Sequence, residues 1–376
     1  MGPVTAPSSS DIDALLRHVI IEGEVARCAV AGVARLGEQG WVTLLGAAGT
    51  AQGEPTTIDT PFDLASVTKS VFAVTCARLV EAAVLRWSTP LAESLPELDG
   101  TPGGRATVAD LLSHRAGLSA HVELFEPLRL GRPFDRARAL LRAARALRPS
   151  RDPEALYSDL GYLLVGEALT RRIGRSLDEI VDETVCAPWN LALGSSRLWR
   201  QRDVNFSRRV AATEVVRWRG GELCGVVHDD NAWAFSGHGA SGHAGLFGTA
   251  RAVLGLGMAL LDSLKGEGPL SAATARDLVR PRPGGSLRLG FDSKAAQVSM
   301  AGTVAGMNTF GHLGFTGTSF WCDPDADAVT VLLTNRVYPT QSNRRIRAAR
   351  PAVHDALFQA ARRLVPESAL AALHDA

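Results

Sequence analysis

The stretch Phe62-Asp63-Leu64-Ala65-Ser66-Val67-Thr68-Lys69 places a serine and a lysine three residues apart at the start of an apolar helical run. Residues at this spacing share one helix face, so we expect the Lys69 amine beside the Ser66 hydroxyl. A neighbouring amine can activate a serine either as a neutral base or as a cation that stabilises the alkoxide. The free N–H groups of the first helical turn also favour negative charge there. The stretch therefore predicts a nucleophilic serine, and the alternative is a capping serine followed by a surface lysine.

A second candidate group lies in the stretch Ala155-Leu156-Tyr157-Ser158-Asp159. The phenol of Tyr157 can shuttle a proton if a nearby cation lowers its pKa. Taken alone, the residue is equally compatible with an aromatic side chain of the core or of an interface.

A third candidate is the glycine-rich stretch Gly311-His312-Leu313-Gly314-Phe315-Thr316-Gly317-Thr318, which leads into a predicted strand. Glycine beside an exposed strand allows a substrate to approach the backbone closely, and a free N–H group there can complete an oxyanion hole. The alternative is a plain glycine-rich turn.

In this order, the three stretches resemble the serine β-lactamase and DD-peptidase (penicillin-binding protein) superfamily. The resemblance is to its class C-like branch, which includes esterases with a β-lactamase fold. Other segments are similar to the same branch, and to a peptidoglycan-related subset of it: residues 107–118, 225–232, 242–247, 334–340 and 350–355. The resemblance extends from about residue 10 to residue 362.

The resemblance implies a role for each matching residue. Ser66 would be the acylated nucleophile, Lys69 its activator, and Tyr157 the proton relay between nucleophile and leaving group. The N–H groups of Ser66 and Phe315 would form the oxyanion hole. The substrate-binding residues would be Asp159, His312, Gly314, Thr316 and Arg336.

Three departures from the β-lactamase pattern affect the expected substrate. Asp159 stands where β-lactamases have asparagine, and an ionised carboxylate cannot donate a hydrogen bond to a substrate carbonyl. His312 replaces a fixed lysine cation by a titratable group. Leu313 lacks a hydroxyl group that would help to hold a substrate carboxylate. All three changes predict weak or no β-lactam hydrolysis. Arg336 is a candidate for the missing positive charge, and its alternative interpretation is a surface arginine.

Composition excludes several other classes of protein. The 376 residues include 40 Lys+Arg and 39 Asp+Glu, so the chain lacks the basic excess of a nucleic-acid-binding protein. We find no apolar run long enough for a membrane span and no visible signal peptide, so we expect a cytoplasmic protein. Five isolated cysteines favour neither a disulfide framework nor a zinc site. His228, His238 and His243 suggest a metal site, but their spacing fits no zinc pattern, so we expect no metal and no cofactor.

Hydrophobic patterns predict strands at both ends of the chain and helices between them. The predicted elements are a first helix capped by Ser10 and Asp13, strands at 28–36 and 41–45, a hairpin at 319–322 and 328–334, and a last helix at 351–364. Residues 1–60 and 283–376 would form a discontinuous sheet domain, and residues 61–282 a mainly helical domain that carries Ser66. The predicted fold is α+β, of the β-lactamase/DD-peptidase type, with an antiparallel sheet flanked by helices.

Together these observations predict a metal-independent serine hydrolase that works through an acyl-enzyme on Ser66. The expected substrates are small esters or peptidoglycan-type D-amino-acid amides. Two alternatives stay open: an acyltransferase that uses the same acyl-enzyme, and a non-catalytic penicillin-recognising protein. The sequence does not determine the oligomeric state.

Overall fold

The structure, a computed structural model, describes residues 6–148 and 154–365. Its helices are α1 (Ser9–Leu16), α2 (Thr68–Glu81), α3 (Pro102–Arg105), α4 (Val108–Leu112), α5 (Glu126–Arg129), α6 (Arg136–Arg145), α7 (Asp159–Ile173), α8 (Leu177–Val181), α9 (Ser196–Arg202), α10 (Phe206–Arg209), α11 (Asp230–Ser236), α12 (Ala250–Lys265), α13 (Ala272–Val279) and α14 (Ile346–Leu364). Its strands are β1 (Cys28–Gly37), β2 (Gly40–Ala51), β3 (Glu54–Pro55), β4 (Phe62–Asp63), β5 (Leu193–Ser195), β6 (Val215–Val216), β7 (Gly221–Glu222), β8 (Leu246–Gly248), β9 (Asp292–Ser293), β10 (Phe310–Leu313), β11 (Ser319–Asp323) and β12 (Ala328–Thr334).

The main sheet has seven antiparallel strands in the order β3-β2-β1-β12-β11-β10-β9. The central pair, β1 and β12, joins the two ends of the chain, with Val30 opposite Leu333. The predicted hairpin is present as β11 and β12. The α+β fold with an antiparallel sheet built from both termini is therefore confirmed. The division into two domains at residues 60 and 282 stays a prediction.

Strand β1 is buried on both faces, because successive side chains point to opposite sides of a sheet. Ala31 and Val33 belong to an apolar cluster with α1 and α14. Val30 and Ala34 belong to the larger cluster on the other face, which includes α12 and α2. This two-sided burial explains why the sequence of β1 reads as a continuous apolar run.

Helix α2 follows Ser66 and is almost completely enclosed by protein. Its residues from Thr68 to Ala77 are all buried, including the polar side chains of Lys69, Ser70 and Thr75. A helix enclosed on all sides belongs to the core rather than to the surface. The residues that follow Ser66 are therefore held rigidly.

Two predicted helix ends were wrong. The N-cap of α1 is Ser8 rather than Ser10, and Asp11 accepts hydrogen bonds from the Ser8 backbone N–H and hydroxyl. Asp13 instead accepts from the backbone N–H of Ala47 in β2. Helix α14 begins at Ile346, so Pro351 lies inside it rather than at its start. Proline is favoured in the first helical turn, which is why the sequence suggested a later start.

Candidate active site

Ser66 lies at a sharp bend between a strand and the buried helix. Strand β4 pairs with β8, and the chain then turns at Ala65, a non-glycine residue with φ of +47°. Asp63 stabilises this turn, because its Oδ1 accepts a hydrogen bond of 2.8 Å from the Ala65 N–H. Such a backbone conformation is unfavourable for alanine and persists only where the surroundings hold it. The bend presents Ser66 at the N-terminal end of α2.

Lys69 lies beside Ser66, as the spacing predicted. Its Nζ is 3.0 Å from Ser66 Oγ, 2.6 Å from Asp159 Oδ1 and 3.1 Å from the backbone oxygen of His243. The carboxylate and the carbonyl can only accept hydrogen bonds, so they occupy two N–H groups of Lys69. The third position on Nζ, which holds either a proton or a lone pair, therefore points toward Ser66 Oγ.

The charge state of Lys69 depends on Asp159. The Lys69 side chain is 0% exposed, and burial alone would lower its pKa. The ion pair with Asp159, together with the interaction with Tyr157, outweighs burial, so the pKa of Lys69 lies above its usual value. The same pairing holds the pKa of Asp159 below its usual value, although burial acts in the opposite direction. The alternative of a surface lysine is therefore wrong.

Tyr157 joins this group from the loop that precedes α7. Lys69 Nζ lies 5.0 Å from the centre of the Tyr157 ring. Burial raises the pKa of Tyr157, the Lys69 cation lowers it, and the net shift is upward. The phenol is therefore protonated in the resting site, next to a cation that would favour its deprotonated form.

His114 is a further residue of the site that had no role in the sequence analysis. Its ring stacks on the Tyr157 ring at 4.6 Å between centres, and its Nδ1 accepts a 2.9 Å hydrogen bond from the Ser158 N–H. Burial and the Lys69 charge lower the pKa of His114 to about 3, so the ring is neutral. Its place in the recognised segment 107–118 was the available signal, but the stacking depends on tertiary structure.

Strand β10 brings His312 to the other side of Tyr157, with 6.0 Å between the ring centres. His312 Nδ1 is 2.8 Å from the Leu313 backbone oxygen, so Nδ1 carries a proton that it donates. Burial and Lys69 lower the pKa of His312 to about 3. The expectation of a titratable cation at this position was wrong, because a buried imidazole next to a lysine stays neutral.

The loop after β10 contains two predicted substrate-binding residues with different positions. Gly314 lines a cavity next to Ser66, and an added Cβ would lie 1.9 Å from Thr318 Oγ1, so close packing requires glycine. Thr316 is 1% exposed, and its hydroxyl donates to the Asp63 backbone oxygen at 2.7 Å. Thr316 thus ties the loop to the strand before Ser66, and its role in substrate binding stays a prediction.

Phe315 and Arg336 form the rim of the site. The Phe315 side chain is exposed, and the Arg336 guanidinium lies 4.4 Å from its ring centre. Arg336 Nε also donates to the Phe315 backbone oxygen at 2.8 Å. Arg336 is only 4% exposed, so its interpretation as a surface arginine is wrong. No hydrogen-bond acceptor within residues 6–148 and 154–365 takes the Phe315 N–H, and the oxyanion-hole role of Ser66 and Phe315 stays a prediction.

Two cavities meet at Ser66, Tyr157 and Phe315. The first, of about 510 Å³, is called the α14 cavity and is lined by these three residues with Leu287, Asp292, His312, Leu313, Gly314, Arg336, Arg344, Ile346, Arg347 and Arg350. The second, of about 780 Å³, is called the α11 cavity and is lined by the same three with residues that include His121, Glu123, Arg129, Asp159, Glu214, Trp218, His228, Asp229 and Asp230. A substrate carbonyl at Ser66 would thus have space on both sides.

The arginines of the α14 cavity form no ion pair with a carboxylate of the described residues. Within the part of the chain that the structure describes, no carboxylate lies within 4.0 Å of Arg336, Arg344, Arg347 or Arg350. Arg350 is 7% exposed, and its Nε has no hydrogen-bond partner. Burial and the nearby Arg336 lower the pKa of Arg350 to about 10. Arg350 is therefore buried, although Arg344 and Arg347 in the same cavity are exposed.

The histidines that suggested a metal site have other partners. His228 Nε2 is 2.8 Å from Glu214 Oε2, and His243 Nε2 is 2.9 Å from Asp229 Oδ1. The backbone oxygen of His238 accepts a hydrogen bond from the backbone N–H of Arg197 in α9. Among the residues described, no group of three or more His, Cys, Asp or Glu side chains is arranged to hold a metal ion.

Comparison with known proteins agrees with this architecture. The sequence model of the beta-lactamase family matches residues 16–354, so the chain belongs to the beta-lactamase family. This is a family of serine hydrolases, and the relatives that the chain matches include amidases, carboxypeptidases and esterases.

Three of these relatives show the extent of the similarity. An N-acetylmuramyl-L-alanine amidase of Bacillus subtilis is 29% identical over 309 residues, which are 74% of this chain and 68% of the relative. An Escherichia coli protein named "Putative D-alanyl-D-alanine carboxypeptidase" is 28% identical over 309 residues, 74% of this chain and 70% of the relative. The structure of EstCE1, a hydrolase with promiscuous acyltransferase activity, superposes with a TM-score of 0.67 at 24% identity, over 91% of this chain and 98% of that one. The last similarity shows the fold.

The helices were also compared with the requirements of a membrane span. Within residues 6–148 and 154–365, none is both long enough and apolar enough to cross a bilayer.

Proposed function

We propose that this protein is a serine hydrolase that works through a Ser66 acyl-enzyme and cleaves small esters or peptidoglycan-type D-amino-acid amides. The observation that carries the proposal is the Lys69 contact with Ser66. A fully buried amine lies 3.0 Å from the hydroxyl, and its other two partners can only accept hydrogen bonds. The stability of the fold does not require a buried lysine to contact a serine at the point where two cavities meet.

The proposed steps use groups of this chain. In the form of the site in which the Lys69–Tyr157 pair lacks one proton, Ser66 Oγ bonds to the substrate carbonyl carbon while its own proton passes to that pair. The N–H groups of Ser66 and Phe315 would stabilise the oxyanion. The bond to the leaving group then breaks, and the leaving oxygen or nitrogen takes a proton from Tyr157. A water molecule attacks the acyl carbon, gives its proton to the same pair, and releases the acid as Ser66 regains its proton.

The α14 cavity favours a substrate whose leaving group carries a carboxylate. Arg336 and Arg350 line it, and no carboxylate among the described residues lies within 4.0 Å of either. A guanidinium binds a carboxylate strongly in a partly buried setting. A D-amino acid released from an amide has such a carboxylate. The printed name of the Escherichia coli relative, "Putative D-alanyl-D-alanine carboxypeptidase", agrees with this substrate class, whereas the Bacillus subtilis amidase is named for an L-alanine amide.

Intact-mass spectrometry tests the acyl-enzyme directly. The wild-type protein, Ser66→Ala and the exposed-site control Ser10→Ala would each be incubated with 4-nitrophenyl acetate, an N-acyl-D-Ala-D-Ala peptide and benzylpenicillin. We expect a covalent adduct or product release with at least one of the first two substrates, for wild type and Ser10→Ala only. This chain has Asp159 and His312 at the positions where β-lactamases have asparagine and lysine, so we expect little reaction with benzylpenicillin.

The outcomes separate the alternatives. Turnover that persists in Ser66→Ala would contradict the proposal. Absence of any adduct or product with all three compounds in the wild type would favour a non-catalytic protein. Added alcohols and amines extend the experiment to acyl transfer, because an ester or amide of the acceptor would form in place of the free acid.

A further inference from the structure

The feature of interest is the Asp159 carboxylate, which lies between Lys69 and the α11 cavity. Its Oδ1 is 2.6 Å from Lys69 Nζ, and its Oδ2 is 3.8 Å from His121 Nδ1. Asp159 is the first residue of α7, and its backbone N–H donates to the Ala120 oxygen. The position of the carboxylate is therefore fixed by the start of α7 and by the loop that contains Ala120.

Asp159 is the counter-ion of Lys69. The lysine is completely buried, and within the residues described no other carboxylate lies within 4.0 Å of its Nζ. A buried ion pair is strongly coupled, because the protein interior screens charges poorly. A neutral residue at position 159 could accept the same hydrogen bond but would not supply the charge.

We propose that Asp159 is a positioning residue that holds Lys69 as an ammonium ion through this ion pair and thereby sets the pH above which Ser66 becomes reactive. The effect on activity rests on the proposed function, whereas the ion pair does not. Activation of Ser66 requires the Lys69–Tyr157 pair to be short of one proton. A carboxylate next to the pair disfavours loss of that proton, whichever of the two groups releases it. The threshold is therefore higher than in a site with a neutral residue at this position.

Other titratable groups face the pair from neighbouring elements. His114, after α4, and His312, on β10, have pKa values lowered to about 3 and are neutral above that value. They contribute no charge change in the range in which the enzyme would act.

The remaining groups lie on the side of the α11 cavity. His121 is partly exposed, and the nearby Asp159 carboxylate raises its pKa above the usual value. Asp229 Oδ1 is bound by His243 Nε2 at 2.9 Å, and both lie on segments that pack beside α7. His121 is therefore the neighbour whose titration must be separated from that of the pair, and His121→Gln removes it.

Lysine-selective NMR reads the charge of Lys69 without any substrate. The chain has only three lysines, Lys69, Lys265 and Lys294, so protein labelled with ¹³C at lysine Cε gives three resolvable signals. Lys265→Arg and Lys294→Arg assign the other two. In the wild type we expect no titration of the Lys69 signal up to about pH 10.4, the ordinary lysine value. In Asp159→Asn we expect its midpoint to fall into the measured range, at least about one pH unit lower.

The pH dependence of kcat/KM with a neutral ester measures how Asp159 changes the pH above which Ser66 becomes reactive. Asp159→Asn should move the low-pH midpoint down by about one unit or more, whereas Asp159→Glu should stay closer to the wild type. Asp230→Asn is the matched control, because it removes a carboxylate of the same cavity that pairs with Arg219 and not with Lys69. Its midpoint should remain that of the wild type, whatever its rate. The measurements are repeated in the His121→Gln background.

The two readouts distinguish two kinds of failure. An NMR shift without any measurable turnover would sink the proposed function and leave the ion-pair role intact. A Lys69 signal that titrates near neutral pH in the wild type, or one that is identical in Asp159→Asn, would overturn the inference. So would a low-pH midpoint that stays in place or rises in Asp159→Asn. The Asp159→Glu variant retains the charge and covers the case in which the asparagine variant does not fold.

Discussion

The two cavities that meet at Ser66 differ in how their charges are neutralised. In the α11 cavity, Glu214 contacts His228, Asp229 contacts His243 and Asp230 contacts Arg219. In the α14 cavity, the four arginines have no carboxylate within 4.0 Å in the described part of the chain. Arg344 and Arg347 are exposed, whereas Arg336 and Arg350 are buried and donate to backbone oxygens. A buried guanidinium without an ion pair gains from a carboxylate that joins it. The difference indicates that the α14 cavity, rather than the larger one, is prepared for an anionic group of the substrate.

The hydroxyl of Tyr157 lies where the two cavities meet, so its removal tests both together. Tyr157→Phe should lower kcat/KM by about 10²- to 10⁴-fold, the usual contribution of a proton-transfer group. The loss should be similar for neutral esters and for substrates with a carboxylate. Tyr338→Phe is the matched control, because Tyr338 donates to Glu222 away from Ser66. A loss below threefold would show that Tyr157 is not the proton relay.

Removal of the Arg336 charge tests whether the α14 cavity binds an anionic group of the substrate. Arg336→Gln should lower kcat/KM for an acyl-D-Ala-D-Ala peptide by about 10- to 100-fold, because a charge-assisted hydrogen bond is lost. Neutral esters should change by less than about threefold, since they offer no partner for the guanidinium. Arg345→Gln controls for the nearby arginine that pairs with Glu24. Equal losses for both substrates would mean that Arg336 acts through the loop of Phe315 rather than through an anion.

The stability of the protein at acid pH tests whether its buried histidines are neutral in the folded state. His114, His312 and His354 have pKa values lowered to about 3 from 6.5, mainly by burial. Between pH 6.5 and about pH 3, these histidines therefore bind protons in the unfolded chain but not in the folded protein. Stability is fully present above about pH 6.5 and is lost as the pH falls toward 3. Each histidine adds up to about 1.4 kcal/mol per pH unit to this slope.

Urea unfolding between pH 7.5 and pH 5 measures that slope. His354 lies away from both cavities, between Ser319 Oγ and Thr330 Oγ1 at 2.9 Å each. His354→Gln should therefore reduce the slope without a change in the low-pH limit of kcat/KM. A stability that is flat over this range would contradict the neutral state of all three histidines.

Contacts between residues that are close together along the chain were predictable from the sequence, whereas contacts between distant segments were not. Ser66 and Lys69 are three residues apart on one helical turn, so their contact was predictable from helix geometry. The hairpin of β11 and β12 was predictable for the same reason, because alternation and a turn are local signals. The start of α14 was misplaced, because a proline inside a helix resembles a proline at its beginning.

The environment of each site residue was not predictable in this way. Thr316 and Phe315 are neighbours in one stretch, yet the first is buried against Asp63 and the second faces both cavities. The sequence left a surface position open for Arg336, because charged side chains are seldom buried and the sequence does not show what covers them. His114 gained its position through a stack on Tyr157, forty-three residues further along the chain.

The sequence by itself determined the family, the α+β order of elements and the pairing of Ser66 with Lys69, since all of these depend on motifs and local periodicity. Only the tertiary structure decided the electrostatic state of the site. It set Asp159 2.6 Å from a buried lysine, kept His312 neutral and left the α14 arginines without a carboxylate within 4.0 Å among the described residues. The physical reason is that burial and the distance between charges govern ionisation, and both arise from contacts between segments far apart in the chain.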